Sequence, residues 1–181
     1  MTIFQKLLDN PEAIIALFAF LTSIVSIFLT IKTLNTQKQH NLKSIRPIGY
    51  ITVVNYDNFI SISITNNGTG PLLIKDFKVS NSQNTISSNN LIDIIPSEIN
   101  KKVKWSNFLT EIINRAIIPG YQLHLLRLKP DEINNDIGTI RALRKFLQHL
   151  TLTLKYTDIY ESEIYSPVIK ELDKFGKDLD V

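Results

Sequence analysis

The stretch Phe59-Ile60-Ser61-Ile62-Ser63-Ile64-Thr65 sets three isoleucines at alternate positions, with hydroxyl residues between and after them. Successive side chains of a strand point to opposite faces, so this spacing predicts a strand with one buried and one wet face. Leu150-Thr151-Leu152-Thr153-Leu154-Lys155-Tyr156 repeats the pattern. Further strands are expected over 48–55, 72–80, 91–95, 122–128 and 161–166, most of them parted by turn chemistry such as Asp57-Asn58 or Pro119-Gly120. About seven short strands at this spacing predict a mainly β fold, an antiparallel immunoglobulin-like sandwich over 47–169.

Two helical insertions are expected within it. Over 106–116, Phe108, Leu109, Ile112, Ile113 and Ala116 share one helical face behind Ser106 as a cap. Over 138–149, Ile140, Leu143, Phe146 and Leu147 point inward and Arg141, Arg144, Lys145 and Gln148 outward. Residues 80–90, rich in Ser and Asn, read as a mobile loop, and 170–181 as a mobile tail of mixed charge.

Upstream of the strands the pattern changes. After a short N-terminal segment, 1–12, residues 13–31 (AIIALFAFLTSIVSIFLTI) form an uncharged run of nineteen. At roughly 1.5 Å per residue such a helix matches the hydrocarbon core of a bilayer. Asn10 suits its cap, Pro11 its first turn and Glu12 its positive end. A cleavable signal would be shorter, with a basic leader and a small-x-small site, and a soluble helix apolar on every side would be unusual in so small a domain. The run reads as a transmembrane anchor. Thr22, Ser23, Ser26 and Thr30 are its polar side chains, suited either to bonding their own helix or, for Ser23 and Ser26, to a self-association face.

Charge gives the orientation. From Pro47 onward fifteen Lys and Arg balance fifteen Asp and Glu, so the net +3 of the chain lies in the first 46 residues. Lys32, Lys38, Lys43 and Arg46 follow the span with no acid among them, while Lys6 alone precedes it. The positive-inside tendency then places the N-terminus outside and the β domain in the cytoplasm. The absence of cysteine agrees with that compartment without deciding it, and Asn67-Gly68-Thr69 as a glycosylation acceptor is irrelevant there. Residues 32–46 continue the helix as a basic juxtamembrane linker that gains from anionic head groups, and Pro47 closes it.

The stretch Asn66-Asn67-Gly68-Thr69-Gly70-Pro71-Leu72-Leu73-Ile74-Lys75 raises the possibility of a phosphate cradle. A phosphate loop needs G-x-x-x-x-G-K-[ST] between strand and helix; here the glycines are two apart, Pro71 removes a donor and a strand follows. Asn67, Gly68, Gly70 and Pro71 therefore read as a structural turn, with Asn66 or Asn67 bonding the turn's own amides. His40, His124 and His149 are scattered, with no metal-ligand spacing, and no nucleophile elbow occurs. Asp131, Glu132 and Asp136, like Asp158, Glu161 and Glu163, read as solvated acids. Neither catalysis, a cofactor, a metal nor a small-molecule substrate is expected. Arg141, Arg144 and Lys145 read as a solvated helix face, with contact to a partner or a phosphate as the alternative. Lys101-Lys102-Val103-Lys104-Trp105 reads the same way, with a membrane or partner surface as its alternative.

Four stretches together carry a resemblance: His40-Asn41-Leu42-Lys43-Ser44-Ile45-Arg46-Pro47, Asn66 to Lys75, Ile118-Pro119-Gly120, and Tyr156-Thr157-Asp158-Ile159-Tyr160. The chain resembles a widespread group of uncharacterised bacterial proteins with one N-terminal transmembrane helix and a small cytoplasmic β-sandwich. It departs from that pattern at Leu72, where alanine is common, and at Glu161, where glycine is common. The resemblance implies the fold and anchor and supplies no activity. The expected partners are the lipid bilayer, another protein encoded nearby and further copies of this chain. The expected function is a membrane-anchored interaction module acting as a sensor, adaptor or effector subunit. The alternatives are an oligomerising membrane-perturbing effector in stress or phage defence, and a nucleic-acid or head-group binder.

Overall fold

A computed structural model describes residues 10–56, 59–81, 87–128, 137–161 and 165–177. The expectations for residues 1–9, for Asp57-Asn58, for the centre of the 80–90 loop, for Asp131, Glu132, Asp136 and Glu163, and for 178–181 lie outside these residues. The chain divides into two units, Met1–Ser44 and Ile45–Val181.

The first unit is one helix, α1 (Pro11–Ser44), none of whose residues is buried. It is long and apolar enough to cross a membrane. The carbonyl of Asn10 accepts from the amides of Ala13 and Ile14 and starts the helix. The hydroxyls of Thr22, Ser23, Ser26, Thr30 and Thr33 each donate to a carbonyl three or four residues back, at 2.7–2.9 Å. This is the first of the two uses expected of them, and it masks polar groups that hydrocarbon cannot solvate. Ala16, Ala19, Ser23, Ser26, Thr30 and Thr33 also repeat at alternating steps of three and four, a narrow seam of small side chains among Leu, Ile, Val and Phe.

The second unit is built from antiparallel strands. β1 (Gly49–Tyr56), β2 (Phe59–Asn66), β7 (Gln122–Leu128) and β5 (Asn107–Phe108) form one sheet in the order β1-β2-β7-β5. β4 (Ser87–Ser88), β3 (Leu72–Asn81), β8 (Leu150–Thr157) and β9 (Val168–Glu171) form the other in the order β4-β3-β8-β9, with β6 (Ala116–Ile117) paired to the start of β3. The sheets curl as a half-barrel. Ile60, Ile62 and Ile64 of β2 and Leu150, Leu152 and Leu154 of β8 are buried, as their period of two predicts. With Ile51, Leu72, Ile74, Phe77 and Val79 they make a core in which each such side chain contributes about 1.5–3 kcal/mol.

Several expectations are corrected. The outer face of β2 is not wet: Ser61 and Ser63 are buried, Ser61 bonded to His124 and Ser63 to Gln122. Residues 91–95 are core but not a strand; Ile92–Ile94 is one 3-10 turn, and the Oδ1 of Asn90, just ahead of it, accepts the Asp93 amide at 2.9 Å. The helix expected over 106–116 is absent, and Asn107–Phe108 pairs with β7 while Ala116–Ile117 pairs with β3. Within that segment Asn114 has a left-handed φ of 63°, and the amides of Leu109 and Asn114 bond Leu125 and Ile74 across the chain. Finally, the strand expected at 161–166 is not one at Tyr165 and Ser166, and pairing resumes at Val168 as β9.

The helix expected at 138–149 is present as α3 (Ile137–Leu147), following the one-turn α2 (Ser97–Asn100). Leu143 and Leu147 are fully buried. The tail is not mobile through 177: β9 is followed by Leu172, by α4 (Lys174–Lys177) and by Phe175, and Leu172 and Phe175 have no exposed surface. The Leu172 amide donates to Leu150 O at 3.0 Å.

Candidate functional site

The 66–75 turn is the best-built polar feature of the β unit. Asn66 ends β2 with its side chain fully buried. Its Oδ1 accepts from the amides of Gly68 at 3.0 Å and Ile48 at 3.2 Å, while its Nδ2 donates to the carbonyls of Gly70 at 2.8 Å and Ile117 at 2.9 Å. Two N–H groups on one side and two C=O groups on the other fix the amide's orientation and satisfy it completely. The bond to Gly68 is the local turn bond expected from sequence; the other three reach further.

This loop closes over the first residues of the unit. The amides of Asn67 and Thr69 donate to Ile48 O at 2.8 Å and Arg46 O at 3.1 Å. A Cβ on Gly68 would stand 2.3 Å from Arg46 O, and one on Gly70 would stand 1.7 Å from Ile45 O. Both glycines are therefore required by close backbone approach, not by phosphate binding. The result is a clasp: 66–70 grips 45–48, and the 117–121 turn joins it through Gly120 N to Asn66 O at 2.8 Å and Asn66 N to Tyr121 O at 3.2 Å.

Around the clasp four large side chains stand in solvent: Ile48 and Tyr50 before and within β1, and Ile118 and Tyr121 on the neighbouring turn. Arg46 is held beside them, its guanidinium carbon 5.2 Å from the Tyr165 ring centre, and Tyr165 stacks on Tyr156 at 5.3 Å. That aromatic contact is part of the β unit; Lys32, Lys38 and Lys43 are exposed on α1. Asp158, read as a solvated acid, is instead buried, accepting from the Tyr160 amide at 2.9 Å and the Tyr165 hydroxyl at 3.4 Å.

The basic triplet of α3 is not one face. Arg141 and Lys145 are exposed, but Arg144 is buried, its Nε donating to Asn55 Oδ1 at 3.0 Å and a terminal nitrogen to Tyr56 O. Arg144 ties helix to strand; its charge is spent inside the fold. Trp105, preceded by lysines in sequence, is half-buried and donates to Asn100 Oδ1 at 2.7 Å. Among the described residues no cluster of three or more His, Asp or Glu side chains is placed to hold a metal ion.

His124 is held below its ordinary protonation range. Burial, with the positive charge of Arg127 second, lowers its pKa from 6.5. The unfolded chain then binds that proton more tightly than the folded one, so stability falls as the pH drops through about 6.5 and below. The urea midpoint of the full chain, followed by Trp105 fluorescence, is expected to decrease from about pH 7.5 to about pH 5.5 and to decrease less in His124→Asn. Equal slopes in the two proteins would remove His124 from this role.

The architecture is that of a small unit of two antiparallel sheets, closed by a buried asparagine clasp and preceded in the sequence by a long apolar helix. Residues 13–175 match the family described as a domain of unknown function, DUF8453, and the chain belongs to that family. The match begins inside α1 and ends at the buried Phe175, so helix, sheets and docked tail are parts of one family pattern. No curated protein and no solved structure matches the chain.

Proposed function

We propose that the chain is a single-pass protein of a bacterial inner membrane whose immunoglobulin-like sandwich lies in the cytoplasm and binds another protein without catalysing a reaction. The observation that carries this reading is the group Ile48, Tyr50, Ile118 and Tyr121, each roughly half exposed or more, around a rigid clasp. Exposed aromatic and aliphatic side chains on a fixed scaffold are the anchors from which protein interfaces draw most of their energy. The basic residues Lys32, Lys38 and Lys43 after the apolar run support the orientation, and the resemblance supports the bacterial membrane.

A photo-reactive residue placed at Ile118 or Tyr121 in cells is expected to give one discrete protein adduct, with none from the exposed Lys78 of β3. Adducts equal at all three positions, or to lipid alone at 118 and 121, would overturn the reading. A second reading, the oligomerising membrane-perturbing effector, is favoured by the small-residue seam of α1, which suits close helix packing in lipid. Loss of membrane potential on overexpression supports it, and an unchanged potential counts against it.

A further inference from the structure

We infer that the outer face of the β1-β2-β7-β5 sheet holds a phosphate-binding site made by Arg127 and His124, with Ser61 orienting the imidazole. The inference needs neither the membrane anchor nor the protein partner proposed above.

Strand parity alone would separate these side chains. His124 and Arg127 are three residues apart on β7, and in a regular strand they would point to opposite faces. The pairing of β2 with β7 shifts register, so that Ser61 stands opposite Arg127, Ile62 opposite Leu126 and Ser63 opposite His124. Leu125 is the extra residue, and this bulge brings both polar side chains to the face of Ser61 and Ser63. The alternate residues Ile60, Ile62, Leu126 and Leu128 fill the core, which makes that face the outer one. Tyr50 and Tyr56 of β1 lie on it too, exposed at 48% and 70%, and Arg127 and His124 are half-buried, so solvent reaches it.

Arg127 is a charge that the fold does not use. Its Nε is the one buried side-chain nitrogen or oxygen without a hydrogen-bond partner among the described residues. No described acid pairs with it either; the ion pairs there are Lys75–Glu161, Lys78–Asp76 and Lys155–Asp76. Arg144, by contrast, gives its bonds to Asn55 and Tyr56. A partly buried guanidinium left unpaired costs stability, so its retention needs a reason outside the apo fold. The side chain is nonetheless held in place, its guanidinium carbon 5.5 Å from the Phe59 ring centre.

His124 completes the site. Its Nδ1 lies 3.3 Å from Ser61 Oγ. With the serine hydroxyl donating there, the neutral ring carries its proton on Nε2, and that N–H is left for a ligand. Burial and then Arg127 keep the ring neutral, and an anion between the two groups would offset the second of these effects. A carboxylate has two oxygens, both of which a guanidinium fork can take. A phosphate group has a third for the imidazole N–H, and the pair of side chains fits it better.

Histidine ring NMR of the solubilised full chain, at about pH 7.5 and fixed ionic strength, tests this directly. The signals missing from His124→Asn are those of His124. Inorganic phosphate should move them along a saturable curve and leave those of His40 and His149 in place, and acetate should not. Arg127→Gln should weaken phosphate binding at least about tenfold, and Arg127→Lys, which keeps the charge without the fork, by less. Lys78→Gln on β3 should change nothing. Phenyl phosphate binding more tightly than inorganic phosphate would assign the site to a phosphorylated molecule, and weaker binding to the free ion; either supports it. A response that does not saturate, that acetate reproduces, or that survives Arg127→Gln in a chain with a normal Trp105 unfolding transition would overturn the inference. Should Arg127→Gln fail to fold, Arg127→Lys decides, and an unchanged affinity there overturns it equally.

Discussion

Phe175→Ala is expected to destabilise the β unit by about 3–5 kcal/mol, the cost of emptying a fully buried aromatic site. The neighbouring exposed Lys174→Ala should stay within about 0.5 kcal/mol. Phe175 has no exposed surface, and its turn is bonded through Phe175 N to Leu172 O at 3.1 Å and Gly176 N to Asp173 O at 3.0 Å. The turn seats closely: a Cβ on Gly176 would stand 2.1 Å from Gln148 Oε1, beyond the end of α3. Urea unfolding of the solubilised full chain, followed by Trp105, measures both variants. Equal small effects would mean that the segment after β9 does not dock, and the core would then have to be closed some other way.

Asn66→Ala is expected to cost on the order of 3 kcal/mol or more. It deletes four hydrogen bonds at once and leaves the amides of Ile48 and Gly68 and the carbonyls of Gly70 and Ile117 to find new partners in a buried place. Asn66→Asp keeps the shape but turns an oxygen toward those two carbonyls, so it should be no milder. Hydrogen exchange separates local from global loss: the amides of Asn67 and Thr69, bonded to Ile48 O and Arg46 O, should exchange faster well before those of β8. If both sets keep their wild-type rates in Asn66→Ala, the clasp is not what holds residues 45–48.

What was legible in the sequence is what local periodicity can carry. The apolar run became α1, the alternating isoleucines and leucines became β2 and β8, and the 3.6-residue pattern became α3. The segment 106–116 shows the limit. Its apolar residues do fall on a helical stripe, yet Phe108 and Ile113 are exposed and Ile112 alone is fully buried, because pairing with β7 and β3 decides the backbone there. The tail hid Leu172 and Phe175 among Lys170, Glu171, Asp173, Lys174 and Lys177; their spacing of three was the available signal.

The clasp divides in the same way. The bond of Asn66 to Gly68 is two residues long and could be read from turn chemistry, whereas its partners Ile48 and Ile117 are 18 and 51 residues away. Arg144 looked like its exposed neighbours Arg141 and Lys145 until the hairpin end at Asn55 and Tyr56 was placed against it. No sequence window contains both sides of those contacts.

The clasp also sets how the β unit bears load. A pull on the chain at Ile45 draws on β1 from the open end of its hairpin with β2, where Gly49 faces Asn66. Pulled from that end alone, a two-stranded ladder unzips, its bonds failing one after another. Here the 66–70 loop lies across 45–48, with Gly68 and Gly70 too close to that backbone for it to slide. Arg46 O and both polar groups of Ile48 are held together at the point where peeling would begin. Tension is thus shared by several bonds in parallel before the first rung of the ladder is reached.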